Sequence, residues 1–563
     1  MEQFEQDRPA EAHRWQEGAI VYHIYPRSFK DTNDDGVGDI KGVTSRLDYL
    51  QELGVNAIWV SPFYPSPMAD FGYDIADYFD VDPIFGRLED FKELLAEAHK
   101  RDIKLIADLV PNHTSDEHPW FNASRQSRDN EYSNWYVWRD PKPESEPHNP
   151  LPPNNWLDAL TGGSAWEWVE ERKQFYLHSF DVRQPDLNWA NRKVHTAIQN
   201  IMRYWLDMGV DGFRVDAVYW MGKDTLLRDD SINIEYIDGQ DPPYEALSHD
   251  RSQGRPQMYA YLSHMAEILK DPRYSGQPRF MITEAYPPRH NPVGDYLTFY
   301  ACMDPRVAAP FNFEGISLPW EGKAWQRFLS AFHTNLALFG DECVASYAFG
   351  NHDQPRLASR IGELAARSAA VMLLTLPGMV FIYYGEEIGM KDVYIPAEQV
   401  QDPAAKGDPS KGQGRDPART PMQWTAGHNA GFTNVGKPWL PIAPDYASRN
   451  VESQSEQPKS FLSLYRRLGQ LRNTSASLKH GHINMLDIEN TNIVGYLRQH
   501  SDDVTYLTLV NFSEDEAHLK LDLDIKQLIV SSDPQTKLTD VKKGQTFALK
   551  GHEGVLFRVD QPS

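Results

Sequence analysis

Eight short runs rich in Val, Ile, Phe and Tyr recur along this chain, at 19–25, 55–61, 103–110, 210–216, 279–284, 310–313, 344–350 and 379–384, and most are followed by a segment of helical spacing. Strand-length apolar runs separated by helices pair in parallel, since a helix and not a hairpin turn joins one to the next. Eight such units close a barrel. The helical spacing is clearest in LEDFKELLAEAHKR, where Leu88, Phe91, Leu95 and Ala98 form one apolar stripe, and over 191–208, with Val194, Ile198, Ile201, Trp205 and Met208.

Two stretches interrupt the alternation. Residues 112–186 are rich in Trp, Asn, Pro and charge with little periodicity, and read as an inserted domain on the face where strands end. A second polar loop, 391–440, has Gly and Pro spread through it, and from 481 the pattern turns to strand-like alternation, as in NIVGYLRQ, VTYLTLVNF and GVLFRV. The expected division is therefore a barrel from 1–111 and 187–480, an inserted domain at 112–186, and an antiparallel β module at 481–563. Disorder is expected only for about the first dozen residues.

Composition narrows the function. Acidic residues exceed basic ones by 80 to 56, a formal charge of −24, which argues against a nucleic-acid partner. The start, MEQFEQDRPAEAHRWQEG, has no basic region followed by an apolar one, and no apolar stretch is long enough to span a bilayer. A cytoplasmic protein with no membrane partner is expected; oligomeric state is left open. Cys302 and Cys343 are too few for a disulfide framework and are expected to be core thiols.

Three of the apolar runs end in an acid: Asp216 in GFRVDAV, Glu284 in FMITEAY and Asp353 in FGNHDQPR. A parallel barrel brings strand ends to one rim, and acids gathered there are what cleavage of a glycosidic bond requires. Arg214, two residues before Asp216 on the same strand, points to the same side and is expected to keep that carboxylate ionised.

With DLVPNHTS (108–115), QPDLN (184–188), GFRVDAV, ITEAY and FGNHDQPR in this order, the chain resembles the α-amylase family, glycoside hydrolase family 13, and within it the α-glucosidase and oligo-1,6-glucosidase group. The resemblance covers nearly the whole chain. It implies a (β/α)8 TIM barrel, a domain inserted after strand 3 and a C-terminal antiparallel β-sandwich. It also implies that Asp216 is the nucleophile, Glu284 the general acid/base and Asp353 the stabilising carboxylate, with His113 and His352 on the sugar hydroxyls and Asp108 holding Arg214. The resemblance further places Tyr73 and Asp74 against a terminal glucose, with Asp74 paired to an arginine of the late loop: Arg415, or Arg419 as second choice.

DTNDDGVGD (31–39) places oxygen donors at Asp31, Asn33, Asp35 and Asp39, with Gly36 at the turn and the Val37 carbonyl as a further ligand, the early part of a calcium loop. The resembling group has a similar loop here, which implies structural Ca2+. Ala217, beside the nucleophile, implies α-1,4 over α-1,6 cleavage, because in the resembling group valine there accompanies α-1,6 activity. The expected activity is an exo-acting retaining α-glucosidase releasing glucose from maltose and short α-1,4 gluco-oligosaccharides, with some transglucosylation. The alternatives are an oligo-1,6-glucosidase, or a sucrose- or maltose-acting glucosyltransferase or isomerase on the same scaffold. A non-catalytic relative of transporter heavy chains is disfavoured, since those lack the full set of acids and carry a transmembrane helix.

Overall fold

The structure, a computed structural model, describes residues 14–146, 148–286, 291–340, 342–407, 412–434 and 436–560. The dozen residues expected to be disordered lie outside them. Eight strands form one parallel sheet: β1 (Ile20–Ile24), β2 (Ala57–Val60), β3 (Lys104–Leu109), β4 (Gly212–Val215), β5 (Phe280–Thr283), β6 (Ala308–Pro310), β7 (Ser346–Ala348) and β8 (Met379–Tyr383). Neighbours run in chain order, and β8 pairs with β1 in register Ile20 to Val380. The sheet curls round until β6 faces β7. There the Ala348 N–H donates to the Asn312 carbonyl at 3.3 Å, and the Ser346 hydroxyl bridges the Asn312 N–H (3.0 Å) and the Pro310 carbonyl (2.7 Å). This seam closes the barrel.

Seven of the eight apolar runs contain the strand read from them, and the sixth is displaced. Strand β6 is Ala308–Pro310, not 310–313. The alternating Phe311 and Phe313 imitate strand spacing, yet their rings stack on each other at 4.8 Å, with Phe311 against Phe381 at 4.4 Å. They plug the end of the barrel, and of that run Phe311 N–H still bonds the Thr283 carbonyl of β5.

Helices cover the outside. α1 (Leu88–His99) buries Phe91, Leu94, Leu95 and Ala98, and α2 (Arg192–Met208) buries Val194, Ile198, Ile201 and Trp205, while Leu88 and Met208 are half-buried. Each large side chain of these stripes contributes about 1.5–3 kcal/mol on leaving water. α3 (Gly322–Leu336), α4 (Glu363–Thr375) and α5 (Phe461–Thr474) follow. α4 is buried almost all round, because the C-terminal strands cover the side that would otherwise meet solvent.

Between β3 and β4, strands Trp138–Arg139, Trp166–Val169 and Gln174–Leu177 form a small antiparallel sheet with its own aromatic core. At the C-terminus, β9 (His482–Met485), β10 (Ile493–Gln499), β11 (Thr505–Asn511), β12 (Ala517–Lys520), β13 (Ile525–Ser531), β14 (Thr539–Val541), β15 (Thr546–Leu549) and β16 (Gly554–Val559) make a six-stranded and a two-stranded antiparallel sheet over a shared apolar core. Gly554 is required where β16 crosses α4: a Cβ there would meet the Ser368 main chain at 3.0 Å. Cys302 and Cys343 are free and half-buried. Among the described residues no helix is long and apolar enough to cross a membrane.

Candidate active site

Parallel strands present their C-terminal ends to one face, and the acids collect there. Asp108 is the second-to-last residue of β3, Asp216 follows β4 by one residue and Glu284 follows β5 by one residue. Asp108 and Arg214 are register partners on adjacent strands, so their side chains meet: Arg214 Nη1 donates to Asp108 Oδ1 at 3.1 Å. The same guanidinium also donates to Asp216 Oδ1 and Glu284 Oε1. Trp59 Nε1 donates to Asp108 Oδ2 at 3.0 Å, and the Arg214 guanidinium lies over the Trp59 ring at 5.0 Å. Arg214 therefore holds three buried carboxylates at fixed positions, and its loss would leave them uncompensated, at about 3–5 kcal/mol.

A cavity of about 280 Å3 stands above this cluster. Asp216, Glu284 and Asp353 reach it together with Tyr73, His113, His352, Ala217 and Arg415. Tyr73 OH is hydrogen-bonded to His352 Nε2 at 2.7 Å, and their rings stack. The opposite wall is less polar, formed by Ala159, Leu160, Phe180, Trp220 and Tyr286.

The late loop closes the cavity, with one correction. Asp74 does not pair with Arg415. It is wholly buried and accepts the main-chain N–H groups of Ala69 (2.8 Å) and Asp70 (2.9 Å), so the loop folds around its carboxylate. Asp70 takes the role instead: Arg415 Nη2 donates to Asp70 Oδ1 and to Asp402 Oδ1, both at 2.7 Å, and Nη1 approaches Asp353 Oδ1 at 3.4 Å. Arg419 is not a substitute for Arg415. It donates to Asp353 Oδ1 at 2.9 Å and to the His352 carbonyl at 2.8 Å. Sequence reasoning missed Asp70, Asp402 and Gln184. Asp70 and Asp74 lie in one short loop, and spacing does not tell which acid a turn sends inward.

His113 is framed by two amides. Asn112 Nδ2 lies 3.2 Å from its Nδ1, and Gln184 Nε2 lies 3.1 Å from its Nε2 while donating to Asp70 Oδ2 at 3.3 Å. Asn112 is oriented by Lys223, whose ammonium reaches Asn112 Oδ1 (3.0 Å) and Asp186 Oδ2 (2.8 Å). Protonation would set both ring nitrogens against amide donors, and burial pushes the imidazole down to about 4, so His113 is neutral at ordinary pH.

Charge is divided unevenly. Burial pushes Asp216 well above the usual carboxylate range; Arg214 opposes this, and Glu284 and Asp108 add to it. Arg214 serves three acids, and for Asp216 it opposes the effect of burial without cancelling it. Burial raises Asp108 to about 6 against the pull of Arg214. For Asp353 burial also works upward, but Arg419 and Arg415 outweigh it and its carboxyl lies below the usual range. Burial lowers His352 strongly, with Arg419 adding to it.

The DTNDDGVGD loop lies between β1 and β2. Asp31 accepts the N–H groups of Asn33, Asp34 and Gly36 at 2.8–3.0 Å, and Asp39 caps the following helix through Gly42 N–H at 2.7 Å. Gly36 has φ 90°, and a Cβ there would meet the Lys437 carbonyl at 2.3 Å. The donors suit calcium in kind, while Asp31 Oδ1 and both Asp39 oxygens each already accept two hydrogen bonds. In arrangement the loop closes on itself, and among the described residues no group of three or more His, Cys, Asp or Glu side chains converges as a metal cage.

Acids on the C-terminal rim of a closed β/α barrel, gathered round one arginine in a small cavity, define an enzyme that acts on glycosidic bonds. The catalytic domain of α-amylases matches residues 23–481, and the chain belongs to the α-amylase family, glycoside hydrolase family 13, whose members like it act on α-glucosides. It is 38% identical to Maltase 1 of Drosophila virilis over 559 residues, 97% of this chain and 87% of that one. Among solved structures it is similar to the α-glucosyl transfer enzyme XgtA, with TM-score 0.88 and 36% identity over 98% of this chain and 100% of that one. It is also similar to the trehalulose synthase MutB of Pseudomonas mesoacidophila, with TM-score 0.83 and 32% identity over 98% and 100%.

Proposed function

We propose that the protein is a retaining, exo-acting enzyme that removes the terminal glucosyl group of a small α-glucoside and passes it to an acceptor hydroxyl, with hydrolysis as the competing outcome. The observation that carries the exo reading is the bridge from Asp70 through Arg415 to Asp353, which walls the cavity at about the size of one sugar. Asp216 attacks the anomeric carbon while Glu284 gives its proton to the departing oxygen. Glu284 then takes the proton of the incoming hydroxyl as that oxygen attacks the anomeric carbon and releases Asp216. Asp216 and the adjacent Glu284 share the Arg214 guanidinium. Asp353, Tyr73, His113 and His352 hold the sugar's hydroxyls.

Transfer is favoured over simple release of glucose by the likeness to a glucosyl transfer enzyme and a trehalulose synthase. The wall of Leu160, Phe180, Trp220 and Tyr286 agrees with it, since an apolar acceptor side leaves water few partners. Ala217 favours α-1,4 over α-1,6 donors by leaving room for the second sugar, worth about 1–3 kcal/mol. The loop from Asp31 to Asp39 is proposed as a structural calcium site held by Asp31, Asn33, Asp35, Asp39 and the Val37 carbonyl.

Incubation with maltose, isomaltose, trehalose and sucrose tests the activity. Lengthened or rearranged sugars are expected to appear at high donor concentration, and the glucose released per maltose consumed to fall well below the two molecules that hydrolysis gives. Free glucose as the sole product at every concentration would return the enzyme to the hydrolytic maltase reading. No turnover of any donor would sink both.

A further inference from the structure

A small cavity of about 10 Å3, room for one water-sized body, lies between the Asp353 loop, the end of β8 and α5. Every residue that lines it is buried. Two of them bring ionisable groups into it: Arg356, three residues after Asp353, and Glu386, three residues after β8.

Arg356 is held on one edge. Its guanidinium lies over the rings of Tyr383 and Tyr384, at 4.9 and 4.7 Å, and Nη1 donates to the Tyr384 carbonyl at 2.7 Å. Nε and Nη2, the two N–H groups of the other edge, have no hydrogen-bond partner among the described residues. On Glu386, Oε1 accepts from Tyr465 OH at 2.9 Å and Oε2 likewise has no hydrogen-bond partner among the described residues. Oε2 stands on the side of Gly350, another wall residue, where an added Cβ would lie 3.2 Å from it. Burial raises this carboxyl to about 7, so up to neutrality the acid keeps a proton, and it keeps it on Oε2 because Oε1 takes the tyrosine's. The other charged groups nearby are engaged elsewhere and do not line the cavity. Arg360 donates to the carbonyls of Pro355, Ile316 and Gly315 at 3.1–3.2 Å. Glu387 accepts from Tyr22 OH (2.7 Å) and Tyr49 OH (2.6 Å), and Asp392 accepts the Arg356 main-chain N–H (2.8 Å). Burial raises both of these acids as well.

The unpartnered side-chain groups of the wall are therefore three donors: Arg356 Nε–H, Arg356 Nη2–H and Glu386 Oε2–H. A water there could accept from two of them and would meet no unpartnered side-chain acceptor for its own two protons. A monatomic anion accepts from all three and brings a negative charge into contact with a buried guanidinium. We propose that this cavity binds chloride, held between the free edge of Arg356 and the carboxyl of Glu386. Its size leaves no room for phosphate, sulfate or a carboxylate. Nothing in the reading of the active site requires the ion, so the two stand or fall separately.

Thermal melting of the full chain in sodium chloride against sodium gluconate, at matched ionic strength, tests the assignment. Chloride is expected to raise the melting temperature saturably, because an ion bound only to the native state stabilises it, while gluconate is too large to enter. The chloride affinity read from the titration is expected to fall about tenfold from pH 6 to pH 8, as Glu386 gives up the donated proton through about 7. Glu386→Gln keeps a donor at that place and does not ionise, and is expected to bind chloride equally at both pH values. Arg356→Lys keeps the charge and loses the two-pronged edge, and is expected to weaken binding about tenfold, the value of one charge-assisted hydrogen bond. Should Arg356→Lys not fold, the pH dependence with and without Glu386→Gln decides. Equal melting temperatures in chloride and gluconate would leave the cavity to a water and overturn the proposal. Chloride binding with a pH dependence that Glu386→Gln leaves in place, or with an affinity that folded Arg356→Lys retains, would put the ion elsewhere and overturn it too.

Discussion

The main-chain N–H of Ala217 donates to Glu284 Oε2 at 2.8 Å, and it does so from a left-handed backbone, φ 48° and ψ 38°. Only this unusual turn aims the N–H back at the acid, and a non-glycine residue there stores about 1–2 kcal/mol. The strain is tolerable for a methyl side chain and much less so for a β-branched one. Ala217→Val is therefore expected to shift the turn, lose the bond to Glu284 and lower kcat on maltose about tenfold, whereas Ala217→Gly keeps kcat within about twofold. Steady-state kinetics of the two variants check this; equal kcat in all three proteins would remove the role given to the turn.

Asp70 and Asp74 are expected to separate function from stability. Asp70→Ala frees one side of Arg415 and opens the cavity, and kcat/KM should fall about a hundredfold, near the 3 kcal/mol lower end for breaking a buried pair. Asp74→Ala strands the N–H groups of Ala69 and Asp70, at about 1–3 kcal/mol each, so its main effect is a lower melting temperature. Paired kinetics and melting curves on both variants decide; the reverse pattern would restore Asp74 as the partner.

Glu386 supplies a pH test remote from the sugar cavity. Burial raises its carboxyl to about 7, and of its two oxygens Oε1 accepts from Tyr465 OH at 2.9 Å while Oε2 has no hydrogen-bond partner among the described residues. The native state thus keeps a proton that the unfolded chain releases near 4.5, so stability is present below about 4.5 and is lost as pH rises through about 7. Across that window the loss amounts to roughly 3 kcal/mol. Glu386→Gln, which cannot ionise, is expected to melt above the wild type at pH 8 and to lose that advantage at pH 5. An advantage that is the same at both values would contradict the assignment.

Calcium bound only to the native loop would raise stability by RT ln(1 + [L]/Kd), about 2.7 kcal/mol at a hundredfold excess over Kd. Melting after chelation is expected to fall and to recover on adding Ca2+. No change would leave the loop as a turn closed by the hydrogen bonds of Asp31 and Asp39.

Most of the site was legible because strand ends in a parallel barrel converge whatever the loops do. Asp216, Glu284 and Asp353 needed only the right strands and their order, whereas His113 and His352 came from the family resemblance. What lay beyond reach came from long loops: Asp402 is 13 residues from Arg415 in a stretch without periodicity, and Asp70 and Asp74 differ only in which way a tight turn points them. The sixth strand was displaced because Phe311 and Phe313 alternate like a strand while serving as a plug. The electrostatics were hidden too, since the charge of Asp216 depends on how many acids share Arg214.

The stereochemistry of the first product tests the central claim most directly. Proton NMR of the anomeric region in the first minutes of turnover of an aryl α-glucoside, whose leaving group is not a sugar, should show new α-linked sugar, and any free glucose appearing as the α anomer before it equilibrates, because two displacements at the anomeric carbon restore its configuration. The β anomer appearing first would mean a single displacement, and Asp216 would not be the nucleophile.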